Sequence, residues 1–267
     1  MATARARLRF DEAVSATVSA ARDTGFFFDF DGTIAPVTSD PETALPVAGS
    51  VARLGALSEL VRGVAVVSAR PVAFLRERLS AAPGVRLFGL YGMQTEAGGG
   101  IRTHSAVEPW RPVMRRLAER AALELPGEVL VQDTALMVAL HYRGAPELRG
   151  AVERWSSARA AELGLAERLG RTVVELGPPG GDDQGTVVAR EIGALALAWY
   201  FGDDLGDLRA FEALRAREER DPAFLGIRVA VAGPETGDEL SRHADFTVGS
   251  PEDTPALLDD VLRAFAR

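Results

Sequence analysis

The sequence contains no cysteine and no lysine, and all thirty of its basic residues are arginine. Without cysteine there can be no disulfide framework, thiolate nucleophile or cysteine-ligated zinc. The three histidines, His104, His141 and His243, define no histidine metal cluster. No apolar run reaches the roughly 18 to 20 residues that cross a bilayer. The opening stretch MATARARLRFDEAVSATVSAARD lacks the apolar core of roughly 7 to 15 residues that a secretory signal carries, and it reads as an amphipathic helix. A cytoplasmic chain with no membrane partner is therefore expected. The formal charge of −8 disfavours nucleic acid as a partner, since phosphate backbones need clustered cations. An anionic ligand would have to be held by a local exception to that charge.

The chain has 267 residues, 47% of them hydrophobic, enough to bury a substantial core. Short apolar runs recur: FFFDF (26–30), GVAVVSA (63–69), VRLFGL (85–90), ALAWYFG (196–202) and IRVAVAG (227–233). They are continuous rather than alternating, the pattern of strands buried on both faces. Helical periodicity lies between them at 46–62, 71–81, 184–194, 206–217 and 253–266. This alternation predicts an α/β fold with a doubly wound parallel sheet.

The middle differs. Residues 107–125 read as a helix, EVLVQD and ALMVALHYR as a hairpin, about 146–164 as a second helix, and RTVVEL as a returning strand. The breakers AGGG (97–100) and GPPGGDD (177–183) suit linkers on either side. The reading is a core of 1–101 and 176–267 with an inserted α+β cap over 102–175, and a monomer is expected.

Ligands of a doubly wound sheet bind beyond the carboxyl ends of its strands. After the first run come Asp29 and Asp31, after the second Ser68 and Arg70, and after the fourth Asp203, Asp204 and Asp207. A lone Asp in such a place serves as a helix N-cap, but three polar clusters at successive strand ends converge on one edge. Crowded carboxylates repel unless a cation neutralises them, and an all-oxygen set suits Mg²⁺.

Together DFDGTIAPV, VVSAR, LHYR and YFGDDLGDLRAF resemble haloacid-dehalogenase-type phosphatases, most closely the trehalose-6-phosphate phosphatases, over nearly the whole chain from about residue 24. The resemblance implies a Rossmann-like core, a nucleophile at Asp29 that forms an aspartyl phosphate, and a general acid/base at Asp31. It also implies Mg²⁺ held by Asp29, the backbone carbonyl of Asp31 and Asp203, with Asp204 supporting and Asp207 behind them. Ser68 and Arg70 would bind the phosphoryl oxygens, although SAR replaces the usual Ser-Gly-Arg. On chemical grounds the spacing of two lets both carboxylates reach one phosphate, Gly32 permits the tight turn, and Thr33 can help start a following helix.

One departure stands out. The family's third motif is a lysine before a glycine, where this chain reads DDQGT, putting Gln184 in the phosphate-binding position. A neutral amide supplies no charge, and losing one preorganised contact costs about 3 to 4 kcal/mol. Arg190 points away around the helix, leaving Arg70 as the better substitute. Three readings stay open: a phosphatase with compensation, a slow or differently specialised phosphatase, and a sugar-phosphate-binding regulator.

Specificity would come from the cap. LHYR offers His141 and Arg143, and VVEL offers Glu175, as contacts to a small-molecule sugar phosphate; each also reads as an ordinary strand or surface residue. LYGMQTE offers Tyr91, Gly92 and Gln94, or a plain turn. Gly177 stands where the family often has arginine, which weakens the case for trehalose 6-phosphate itself.

Overall fold

A computed structural model describes residues 8–180, 182–233 and 238–267. In chain order the elements are α1 (Phe10–Ser19), β1 (Thr24–Phe28), α2 (Ser50–Leu60), β2 (Gly63–Val67), α3 (Val72–Arg78), β3 (Val85–Gly89), β4 (Gln94–Ala97) and β5 (Gly100–Thr103). Then follow α4 (Arg111–Glu124), β6 (Leu130–Asp133), β7 (Val138–His141), α5 (Arg149–Leu163), β8 (Ala166–Leu169) and β9 (Val173–Gly177). The chain closes with α6 (Gln184–Glu191), β10 (Leu197–Gly202), α7 (Leu208–Arg220), β11 (Leu225–Val231), α8 (Asp238–Ser241), β12 (Phe246–Val248) and α9 (Thr254–Phe265).

Eight strands form one sheet in the order β12-β11-β10-β1-β2-β3-β4-β5, parallel from β12 to β3. Chain order runs outward in both directions from β1 and β10, so their junction is the topological switch point where such sheets bind ligands. The aromatic run explains why this junction is rigid. Phe26 pairs in register with Trp199 and Phe28 with Phe201, their rings stacked at 5.4 and 4.5 Å. Phe27 and Tyr200 point to the opposite face, into a second core beside α6 and α7. Each such buried ring contributes about 1.5–3 kcal/mol.

The edge strands β4 and β5 are antiparallel and polar. The AGGG stretch, expected to be a linker, is the tip of their hairpin: Gly98 and Gly99 both have positive φ, +60° and +76°, which a tight primed turn demands. The parallel core thus carries an antiparallel edge that the apolar-run pattern does not reveal. Of the second expected breaker, Gly177 closes β9, and Gly181 lies outside the described residues.

The inserted segment folds as the cap, an antiparallel sheet in the order β6-β7-β9-β8. Helices α4 and α5 cover one face of it, burying Met114, Leu117, Val138, Leu140, Val152, Val174 and Leu176. Strand β8 was not expected, because AERL has no apolar alternation. The other face of the cap looks toward the core's switch point.

Candidate active site

One cavity lies between the cap sheet and the carboxyl ends of β1, β2 and β10. Asp29 follows β1 directly and continues its pairing, its N–H donating to the Phe201 carbonyl at 2.9 Å. Its carboxylate meets those of Asp203 and Asp207: one oxygen from each lies within 4.8 Å of the others. All three are buried. Burial first, and then the neighbouring carboxylates, push the Asp29 and Asp203 pKa values well above the usual range. Burial likewise raises Asp207, to about 6. Such a set is costly unless a cation sits among it, and its oxygen-only chemistry fits a hard divalent metal.

Asp207 stands behind the other two. Its Oδ1 accepts from the Tyr200 hydroxyl at 2.6 Å and Gln184 Nε2 at 3.0 Å, and its Oδ2 from the N–H groups of Asp203 at 2.9 Å and Asp204 at 3.0 Å. These four donors make it the anchor of the loop that presents Asp203. Asp204 turns outward instead; it caps the next turn through the Leu205 N–H and faces Arg171 at 3.7 Å. Its carboxylate is therefore not among the three that converge.

Thr33 starts no helix, contrary to expectation. The next helical turn is at Pro41–Thr43, and the Thr33 hydroxyl donates to Asp203 Oδ1 at 3.3 Å. Gly32 allows this approach: at its φ of +77° an added Cβ would lie 2.0 Å from Asp203 Oδ2. Gly32→Ala should thus destabilise the chain by about 1–3 kcal/mol through strain and abolish any rise in melting temperature on adding Mg²⁺. Thermal melts with and without the ion check both effects.

Asp31 is held by Arg70 in a bidentate pair, Nε to Oδ2 and Nη2 to Oδ1, both at 2.7 Å. Arg70 also lies over the Phe74 ring, 4.6 Å from its centroid. Ser68, at the end of β2, lines the same cavity and its Oγ accepts the Arg70 N–H at 3.2 Å.

From above, the cap contributes Gln132, His141, Arg143, Arg171 and Glu175. Glu175 accepts a 2.6 Å hydrogen bond from the Tyr91 hydroxyl, linking cap and core. Tyr91 has a φ of +56° and Leu90 of +50°, a left-handed backbone pair that turns the ring into the site. Gly92, by contrast, does not line the cavity and packs on Val187, while Gln94 spends its side-chain carbonyl on the Val72 N–H at 3.1 Å. Gln132 had no signal in the sequence; it bridges Glu42 of the core at 2.6 Å and His141 at 3.1 Å. Tyr200 and Arg171 were likewise missed, Tyr200 because it is hidden in an apolar strand.

Burial, reinforced by Arg143 and Arg70, lowers the His141 pKa from 6.5 to about 4, so the ring is neutral at physiological pH. The unfolded chain then binds this proton more readily than the folded one. Stability should fall as pH drops from about 6.5 to about 4, by up to about 3 kcal/mol from this residue. Urea unfolding of the wild type and His141→Gln at pH values across that window would show the variant losing less.

A profile of the family described as Trehalose-phosphatase matches residues 27–241. The trehalose-phosphate phosphatase of Mycobacterium avium (strain 104) is 34% identical over 260 residues, covering 91% of this chain but 64% of the relative. The chain thus spans less than two thirds of that relative's length. Among solved structures, the C-terminal domain of Candida albicans trehalose-6-phosphate phosphatase aligns with a TM-score of 0.78 at 20% identity, over 96% of this chain and 97% of that one. A haloacid dehalogenase-like hydrolase from Bacteroides thetaiotaomicron aligns at 0.58 and 14% identity, over 91% and 99%. The profile match over most of the sequence, on a haloacid-dehalogenase-type core whose carboxylates meet at the switch point, places this chain in the trehalose-phosphatase family.

Proposed function

We propose that the protein is a Mg²⁺-dependent phosphatase acting on a trehalose-like disaccharide or pseudo-disaccharide monophosphate, with trehalose 6-phosphate the first candidate. The supporting observation is the convergence of Asp29, Asp31, Ser68 and Arg70 on one cavity roofed by His141, Arg143 and Glu175 of the cap. In this reading core (1–101, 176–267) and cap (102–175) are distinct units, and the monomeric chain works in the cytoplasm.

In the first step a carboxylate oxygen of Asp29 attacks phosphorus, the bond from phosphorus to the sugar oxygen breaks, and Asp31, which must first take up a proton from solvent on an oxygen that Arg70 releases, gives that proton to the departing oxygen. In the second, Asp31 takes a proton from water as the water oxygen attacks the aspartyl phosphate. The bond to Asp29 breaks, and inorganic phosphate leaves. Ser68 and Arg70 orient the phosphoryl oxygens, while Gln184 lines the same cavity with its amide donating to Asp207. Asp29, Asp203 and the Asp31 carbonyl would hold Mg²⁺, supported by Asp204, with Asp207 fixing their loop. When bound, the ion offsets the negative charge of phosphate and carboxylates.

Tyr91, Gly92, His141, Arg143 and Glu175 belong to the sugar side of the proposal, Gly92 through the backbone that sets Tyr91. Closure of the cap excludes bulk water while the phosphoryl group is transferred. Gln184, uncharged where the family's motif has lysine, favours a second reading, a regulator that binds sugar phosphate without turnover.

Phosphate release from a panel of disaccharide, monosaccharide and polyol phosphates, with Mg²⁺ and with EDTA, separates the readings. The leading one expects the highest kcat/KM on a disaccharide monophosphate and no turnover in EDTA. Measurable binding with no turnover on any substrate would leave the regulator.

A further inference from the structure

Two negative groups must approach each other in the proposed first step, and the cavity floor is already acidic. Among the described residues its cationic lining consists of Arg70, Arg143 and Arg171, His141 being neutral. Arg171 pairs through Nη2 with Glu239 at 2.9 Å; its Nε is also buried without a hydrogen-bond partner, but that nitrogen already faces a carboxylate, Asp204 Oδ1 at 3.7 Å. Arg143 donates from Nη1 to the Thr38 carbonyl at 3.1 Å. Arg70 is different. It is 8% exposed, and two of its nitrogens are committed to Asp31, while the third, Nη1, is buried with no hydrogen-bond partner. A buried guanidinium nitrogen without an acceptor is costly, and a charged acceptor arriving with the ligand would satisfy it.

Gln184 has the opposite circumstances. Its Nε2 donates to Asp207, and its Oε1 lies against Gly206, where an added Cβ would be 2.8 Å away. The side chain is thereby boxed in between the anchor of the Asp203 loop and the turn after it.

We propose that Arg70, through Nη1, is the cationic ligand of the transferred phosphoryl group in place of a lysine at position 184, and that Gln184 is a positioning residue for the Asp203–Asp207 loop. The inference rests on the phosphatase reading and divides the phosphate-binding role within it. It also couples two tasks in one side chain: the guanidinium that holds the phosphoryl oxygen also pairs with Asp31, and shifting it toward the phosphoryl group frees an Asp31 oxygen for proton transfer. Phe74 beneath the guanidinium limits its freedom to swing away.

The test uses the wild type, Arg70→Ala, Gln184→Lys and the double variant, with p-nitrophenyl phosphate turnover and calorimetric binding of inorganic phosphate in Mg²⁺ as readouts. Arg70→Ala should weaken phosphate binding and lower the rate, each by about a hundredfold. Gln184→Lys should raise both at least about tenfold more in the Arg70→Ala background than in the wild type, since only there is the cation missing. Phosphate affinity of Arg70→Ala within about threefold of the wild type would overturn the proposal, as would equal effects of Gln184→Lys in the two backgrounds. If Arg70→Ala does not fold, the shorter, neutral but polar Arg70→Gln takes its place under the same criteria. A wild type that neither binds phosphate nor turns over would instead sink the phosphatase reading itself.

Discussion

Asp29→Asn should lower phosphate release by about 10,000-fold or more while the protein stays folded, because a carboxamide cannot form the acyl phosphate. The structure gives this variant an additional signature. Asp29 is crowded by Asp207, Asp203 and Asp31 in a buried site that disfavours its charge. Replacing it with a neutral side chain of the same shape relieves that repulsion, so without metal the variant should melt at or above the wild-type temperature. With Mg²⁺ the order should reverse, since the wild type keeps an extra charged ligand. Rates on the best substrate together with melting curves in EDTA and in Mg²⁺ check both halves. A rate near wild type would rule out Asp29 as the nucleophile.

Asp31→Asn should cost about 100- to 10,000-fold on a sugar phosphate, the usual worth of a positioned general acid and base. The loss should depend on the leaving group. A sugar alkoxide needs a proton to depart, whereas p-nitrophenolate does not, so the first step on p-nitrophenyl phosphate should survive far better. Arg70 sharpens this expectation: it binds both carboxylate oxygens of Asp31, and an asparagine can offer only one acceptor. Part of the orientation is therefore lost with the proton. Pre-steady-state release of nitrophenolate, compared with steady-state turnover of the sugar phosphate, separates the two contributions. Equal losses on the two substrates would mean that Asp31 only positions the chain.

The residues legible in the sequence share one property: their signal is local. Phe26 to Phe28 form a continuous apolar run that can only be a buried strand, and Asp29 and Asp31 follow it within a few positions, as Asp203 follows β10. Gln132 is different. Its partners are Glu42, 90 positions away, and His141 across a strand pair, so nothing in its neighbours distinguishes it from any polar strand residue. Tyr200 was masked by an apolar strand, although its hydroxyl needs a partner once buried and finds Asp207. The AGGG stretch was misread because paired glycines punctuate linkers and hairpins alike. Only the pairing of β4 with β5, two strands of low apolarity, decides between them. Thr33 followed the same logic: a short polar side chain after a turn suggests a cap, but the loop brings it to Asp203, 170 positions away.

The central claim is that phosphate passes through a covalent intermediate on Asp29, which Asp31 then helps to hydrolyse. The most direct measurement is acid quenching of Asp31→Asn during reaction with p-nitrophenyl phosphate in Mg²⁺, followed by mass spectrometry of its peptides. With departure of the leaving group still fast and activation of water impaired, the phosphoenzyme should accumulate. One phosphoryl group should appear on the peptide carrying Asp29, matching a burst of nitrophenolate. Nitrophenolate released without a burst, and with no phosphoryl group on that peptide, would contradict the account.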